Sequence, residues 1–147
     1  MAEEGERVFG GGEQFTHLDL RGRRVPMLSE EQGIGRGAQP ITIGANITAG
    51  AGGRDVTTYA PVPFFMTSAF RSFETSQTAY QLWDFKSDHY CVEIWDNYLE
   101  LRFSTAFAYG ELMKRYTARS GRMQPLPEWA WGTYSVYKAE KTKSNRF

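Results

Sequence analysis

Between Glu13 and Arg36 the sequence gathers side chains able to hold a polar ligand or take part in acid–base chemistry. The run "GEQFTHLDLRGRRVPMLSEEQGIGRG" carries Glu13, Gln14, Asp19, Arg21, Arg23, Arg24, Glu31, Gln32 and Arg36. Carboxylates can give or take a proton, amides can read hydroxyl groups, and guanidinium groups can grip an anion with two parallel donors. Two readings stay open at this point. One is a binding loop. The other is a solvated loop whose arginines and carboxylates pair with one another, and spacing alone favours it because loops are polar in most proteins.

Other motifs carry less. "GIGRGA" at 33–38 fits a loose dinucleotide pattern, but that pattern needs a strand before it, a helix after it and an acidic residue further on. Pro40 and an expected strand behind it argue against the helix, so a nucleotide site is rejected. His17 and His89 lie far apart with no third ligand at a recognisable spacing, so they read as a solvated loop histidine and a strand histidine, and no metal is expected. Cys91 falls in an alternating strand with no basic cluster beside it and reads as core filling. Asp84, Asp88, Glu93 and Asp96 read as the solvent face of strands. Trp83, Trp95 and Trp131 are able to stack on sugar rings, although their positions favour core and linker packing.

The elements that must position these groups are mostly strands. Aromatics make up 15% of the 147 residues and Gly is frequent, a composition suited to strands separated by tight turns. A short strand is expected at 6–9, ending in a sharp loop at Gly10. A long loop with short strand pieces follows at 13–38, then a strand at 41–47 closed by a flexible "AGAGGRD". Asn46-Ile47-Thr48 matches a glycosylation pattern and reads as an ordinary part of that strand. Residues 63–74 are strongly β, and alternation marks strands at 79–85, 89–95 and 98–103. The Asp96-Asn97 pair predicts a hairpin between the last two. From Thr105 the spacing of Phe107, Leu112, Met113 and Tyr116 predicts a helix, with Ser104 or Thr105 as its cap and Gly121 at its end. A Pro- and Trp-containing linker packed on a neighbouring layer is expected next, and then an unpatterned basic tail.

The 17 basic and 17 acidic residues balance, so no long-range field recruits nucleic acid or an anionic membrane. One cysteine permits no internal disulfide. No apolar run suits a signal peptide or a membrane span, so a cytoplasmic location is expected for the chain as written.

The loop also carries a resemblance. "GGGEQF", "DLRG" and "SEEQGIGRG", in that order, resemble the sulfoquinovosidase-like branch of glycoside hydrolase family 31. The likeness runs on through the aromatic strands to "YLELRFSTAF", the helix and "LPEW". It implies a mainly β fold: a partial galactose-mutarotase-like antiparallel β-sandwich over 1–104 with one C-terminal helix. Helix and linker, 105–132, would lead toward a (β/α)8 barrel, and 133–147 would be a divergent, disordered tail. The family's enzymes are retaining α-glycosidases with two carboxyl groups. The resemblance implies that a sandwich loop reaches over the barrel mouth, which would make Glu13, Gln14, Asp19, Arg21, Glu31, Gln32 and Arg36 substrate-lining residues.

After Gly132 the likeness fades. The catalytic Asp pair, the sugar-contacting Gln and the sulfonate-gripping Arg and Trp would all lie beyond Phe147, and the first sandwich strands would lie upstream. The expectation is therefore a glycosidase fragment without catalytic residues of its own, with no cofactor. A carbohydrate would be its ligand through the parent enzyme, and the barrel its packing partner. A non-catalytic sandwich that binds carbohydrate or a protein is the alternative.

Overall fold

The computed structural model describes residues 2–15, 17–31 and 33–132. Seven strands and two helices follow one another as β1 (Val8–Gly12), β2 (Arg24–Met27), α1 (Pro40–Ala49), β3 (Pro61–Thr67), β4 (Arg71–Glu74), β5 (Gln81–Phe85), β6 (Tyr90–Ile94), β7 (Arg102–Thr105) and α2 (Tyr109–Ser120). They form two antiparallel sheets, one in the order β1-β3-β4-β7 and the other β2-β5-β6.

Alternation drives the packing. In β5, Gln81, Trp83 and Phe85 are buried while Leu82 and Asp84 are partly exposed, the two-residue period of a strand with one covered face. The core between the sheets holds Val8 and Phe65 from one sheet, Val25, Met27, Trp83 and Phe85 from the other, and Leu20 from the loop. Burying one such aliphatic or aromatic side chain contributes on the order of 1.5–3 kcal/mol. Phe65 meets both Trp83 and Phe85 at ring-centroid distances of 4.8 Å. The Trp83 indole N–H donates to Gln81 Oε1 at 3.0 Å, so the ring is buried with its polar edge satisfied. Trp83 is a core residue, as the packing reading expected.

Helix α2 lies on the outer side of the first sheet. Its Leu112 is buried, and Tyr116 stacks on Phe64, which points away from the inter-sheet core. Arg119 pairs with the buried Glu74 carboxylate of β4. The architecture is thus helix on sheet on sheet, an antiparallel sandwich with a C-terminal helix.

Several expectations need correction. Residues 40–49 form a helix, not a strand. Pro40 sits at its first turn, where a missing N–H costs nothing, and Gly50 closes it in the left-handed region, its N–H on the Asn46 carbonyl and the Ala51 N–H on the Ala45 carbonyl. Asn46 accordingly faces a turn, its Oδ1 accepting from the Gly52 N–H at 2.9 Å. The glycines at 10–12 continue β1 through an irregularity in its pairing with β3 and do not start a loop. At Gly12, with φ +82°, a Cβ would lie 2.1 Å from the Ala60 carbonyl oxygen, so the close approach of the two strands requires glycine there.

Asp96-Asn97 does not join neighbouring strands. β6 pairs with β5 while β7 pairs with β4, so the segment carries the chain from one sheet to the other. Thr105 belongs to β7, and α2 starts behind Ala108. Phe107 stays almost fully exposed. Cys91 is exposed on β6, because it lies on the face opposite Tyr90 and Val92, which pack against the core. Trp129 and Trp131, on a single 3-10 turn at Glu128–Trp131, are also exposed and not packed on a layer. The expected tail at 133–147 lies outside the described residues.

Candidate functional site

The loop divides its charged side chains into two groups with different jobs. Asp19 and Arg21 are turned toward the body of the sandwich. Asp19 Oδ1 accepts from the Val8 N–H at 3.1 Å and from the Arg21 N–H at 3.0 Å. Arg21 donates to the carbonyls of Glu3, Glu6 and Ser87. A carboxylate that accepts two backbone donors, and a guanidinium that spans three carbonyls, are committed to holding backbone. They brace the loop against β1 and the β5–β6 turn.

The second group faces outward, on a shelf made with residues 51–59. Glu31 accepts a hydrogen bond from the Tyr59 hydroxyl. Arg36 donates to the Thr57 and Arg54 carbonyls, and its guanidinium lies 4.9 Å from the centre of the Phe15 ring. Arg54 pairs with Glu30, and that hydrogen-bonded carboxylate raises the guanidinium pKa further. The shelf therefore presents an aromatic ring, held from one side by a cation, among paired charges.

The segment at 51–58, which includes most of the "AGAGGRD" run at 49–55 expected to be flexible, is the second wall of this shelf. The Ile34 N–H donates to the Ala51 carbonyl at 2.7 Å, and parallel bridges join Ser29 to Thr58 and Ile34 to Gly52. Parallel neighbours need a crossover connection, and α1 supplies it. Thr57 and Thr58 are buried as a result.

A helix does therefore follow "GIGRGA", so the argument used against a nucleotide site fails. A different observation keeps the rejection in place. A Cβ on Gly37 would lie 2.2 Å from Asp55 Oδ1, so a carboxylate already fills the space a phosphate would need.

Gln14 stands apart from both groups. Its side-chain amide donates to the Gly11 carbonyl at 3.0 Å, and it lines a cleft of about 290 Å³ with His17, Leu20, Arg23, Arg24 and Asp55. Arg24 reaches Asp84 across the β2–β5 pair at 3.6 Å. Glu13 is exposed, and its N–H donates to the Ala60 carbonyl at 3.0 Å. Gln32 lies outside the described residues. Among the described residues no group of three or more His, Cys, Asp and Glu is placed to hold a metal ion, and no helix is long and apolar enough to cross a membrane.

Sequence reasoning missed Phe15, Tyr59 and Arg54. The first sits inside "GEQF" itself, and an aromatic between polar residues in a Gly-rich loop was a signal available to read.

No protein-family model matches the chain. Individual proteins do. Over 133 residues, 89% of its length, the chain is 32% identical to a sulfoquinovosidase of Agrobacterium fabrum, of which it covers 20%. Over 132 residues it is 33% identical to the sulfoquinovosidase of Escherichia coli K12, again covering 20% of that protein. The solved structure of a GH31 family sulfoquinovosidase from E. rectale, in complex with an aza-sugar inhibitor, superposes with a TM-score of 0.80 at 32% identity over 87% of this chain.

The chain resembles a fragment of glycoside hydrolase family 31 proteins. It matches the N-terminal β-sandwich and spans about a fifth of the length of the relatives quoted. A GH31 dextranase of Flavobacterium johnsoniae shares the fold with a TM-score of 0.71 at 24% identity.

Proposed function

We propose that this chain is the loop-bearing sandwich of a retaining α-glycosidase acting on α-glucosides or sulfoquinovosides, and that it has no hydrolytic activity alone. The observation that carries this reading is the 32–33% identity to two sulfoquinovosidases over nearly the whole chain, against a fifth of their length. In the longer enzyme the cleaving carboxyl pair comes from the barrel, one as nucleophile and one as acid. The shelf of Phe15, Glu31, Arg36 and Tyr59 then borders the sugar. Asp19 and Arg21 act one layer behind it, by fixing the loop's course.

A chimera tests the proposal. Residues 13–36 replace the corresponding loop of the E. coli sulfoquinovosidase, and turnover of an aryl α-sulfoquinovoside is compared with that of an aryl α-glucoside. Retained sulfoquinovoside turnover supports the reading. A folded chimera that has lost both activities counts against it, as does turnover by residues 1–147 alone.

The exposed Trp95, 73% accessible and edge-on to Tyr80, favours a second reading, a sandwich that binds carbohydrate without cleaving it. Binding of the isolated chain on a glycan array, lost in Trp95→Ala, is the outcome it requires.

A further inference from the structure

The chain leaving β2 and the segment at 51–58 run side by side but join at one end only. They meet in the parallel bridge of Ser29 with Thr58, where the Glu30 N–H donates to the Thr58 carbonyl at 3.0 Å. Further back, along β2 itself, they splay apart. The Phe85 N–H donates to the Arg23 carbonyl at 2.9 Å, so alternation turns the main-chain groups of Val25 toward β5 and those of Arg24 and Pro26 away from it. Pro26 has no N–H to give on that outer side, so the parallel pairing cannot run back along the strand. The gap is the cleft of about 290 Å³ already described, the volume of roughly ten water molecules. Leu20 and Val25, both buried, give it an apolar floor together with Val56, and Gln14, His17, Arg23, Arg24 and Asp55 form its rim.

The rim carries more positive charge than its neighbours balance. Arg24 and Lys86 share one carboxylate, Asp84, at 3.6 and 3.9 Å. The Asp55 carboxylate is packed on the backbone of Gly37, where a Cβ would come 2.2 Å from its Oδ1. Among the described residues no hydrogen bond or ion pair engages the Arg23 side chain. Three cations, Arg23, Arg24 and Lys86, thus meet two carboxylates, Asp55 and Asp84, which leaves one positive charge unbalanced.

We propose that this cleft binds a small organic monocarboxylate, its head on Arg23 and Arg24 and its apolar chain over Leu20, Val25 and Val56. A planar carboxylate matches the two parallel donors of a guanidinium. One surplus charge suits a monoanion, whereas a phosphate group, with a charge of about −1.5 to −2, exceeds it. At about 290 Å³ the cleft stands at the small end of ligand-binding pockets, and an apolar floor with a few charged groups at the rim is how such sites are built. The cleft and the shelf share residues 54–57 as a common wall. Arg36 holds the Arg54 and Thr57 carbonyls, while Asp55 and Val56 line the cleft. The two sites are therefore separate, and this one stands whether or not the shelf borders a sugar.

The test is an NMR titration of the full 147-residue chain with pentanoate. Saturable shifts are expected at the amides of Arg23, Arg24 and Val56, with a Kd on the order of 1 mM, ordinary for so small a ligand. Pentanol, the same chain without the charge, binds about ten-fold more weakly. Acetate, the charge without most of the chain, does too. These arms need no variant. Arg23→Gln weakens pentanoate binding by about ten-fold. Arg122→Gln, an equal loss of charge in the segment after α2, leaves it unchanged. Both arginines are exposed, and an amide spectrum preserved away from the cleft shows that each variant is folded. Four results each overturn the proposal: no saturable shift, pentanol binding as tightly as pentanoate, inorganic phosphate binding more tightly than pentanoate, or equal weakening by the two arginine changes.

Discussion

Phe64 on β3 and Tyr116 on α2 stack with ring centroids 4.1 Å apart and planes 23° from parallel. This pair holds the helix to the sheet on the face opposite the core, with Leu112 beside it. Tyr116→Ala is expected to destabilise the protein by about 2–3 kcal/mol, the cost of a lost aromatic contact plus a cavity. Tyr116→Phe keeps the stack and should cost under about 1 kcal/mol. Denaturant unfolding of the two variants separates stacking from any role of the hydroxyl.

Asp19 holds the loop through one oxygen that accepts two backbone donors. Asp19→Ala leaves both unmet and is expected to cost about 1–3 kcal/mol. Asp19→Asn keeps an acceptor oxygen and costs less. Amide exchange at Val8 and Arg21 reads the change directly, with both amides losing protection in the alanine variant.

Glu6 and Tyr90 set opposite limits on stability with pH. Burial opposes ionisation of Glu6, but the Thr67 hydroxyl, the Glu3 amide and Arg71 outweigh it and hold the carboxyl below its ordinary 4.5. Its contribution is therefore present above 4.5 and lost as pH falls through the lower folded value. Burial, then the nearby Glu6 charge, pushes the Tyr90 phenol up to about 12 from 10.0. Its contribution is intact below 10 and lost as pH climbs toward 12. Melting temperature against pH should show a flatter acid limb in Glu6→Gln and a flatter alkaline limb in Tyr90→Phe.

Arg36 fixes Phe15 by lying over its ring while donating to the Thr57 and Arg54 carbonyls. Arg36→Lys retains charge without the planar group and its several donors. In the chimeric enzyme Arg36→Lys and Phe15→Ala are expected to raise KM several-fold with little change in kcat, the pattern of lost substrate positioning away from the reacting atoms. A drop confined to kcat would place these residues in the chemistry.

Gly12→Ala should prevent normal pairing of β1 with β3, because the new Cβ would meet the Ala60 carbonyl oxygen and Val62 nitrogen. A loss of several kcal/mol, or a chain that fails to fold, is expected. Circular dichroism and thermal melting are the measurements. Gly22→Ala, where no atom lies within 4 Å of the added carbon but φ is +73°, is the milder comparison.

Much of this molecule was legible before its structure. The alternation at 79–85 and 89–95 located β5 and β6, and the Leu112–Tyr116 spacing located α2, because one covered face leaves a period in the sequence. The three loop motifs pointed to the family whose members the chain resembles. What failed did so for local reasons. "ITI" at 41–43 has the alternation of a strand, and β-branched residues favour one, yet Pro40 and Gly50 bracket a ten-residue helix that parallel bridges on either side require. Asp96-Asn97 looks like a hairpin turn, and pattern alone cannot say whether the next strand stays in the same sheet. Cys91 sits in an alternating strand, but the phase of the alternation puts Tyr90 and Val92 toward the core and Cys91 with Glu93 on the other face. In the loop, sequence grouped Asp19 and Arg21 with Glu31 and Arg36. Only the direction of their hydrogen bonds separates the brace from the shelf.

The pairing of β1 with β3 has a consequence in time. Val8 meets Thr67, so the first strand of the described chain finds its place only after some sixty further residues exist. Local contacts close quickly and distant ones slowly. The β3–β4 and β5–β6 hairpins can form as soon as they leave the ribosome, whereas β1 must wait, its glycine-rich edge unsheltered. The rate of synthesis therefore sets how long that edge stays open.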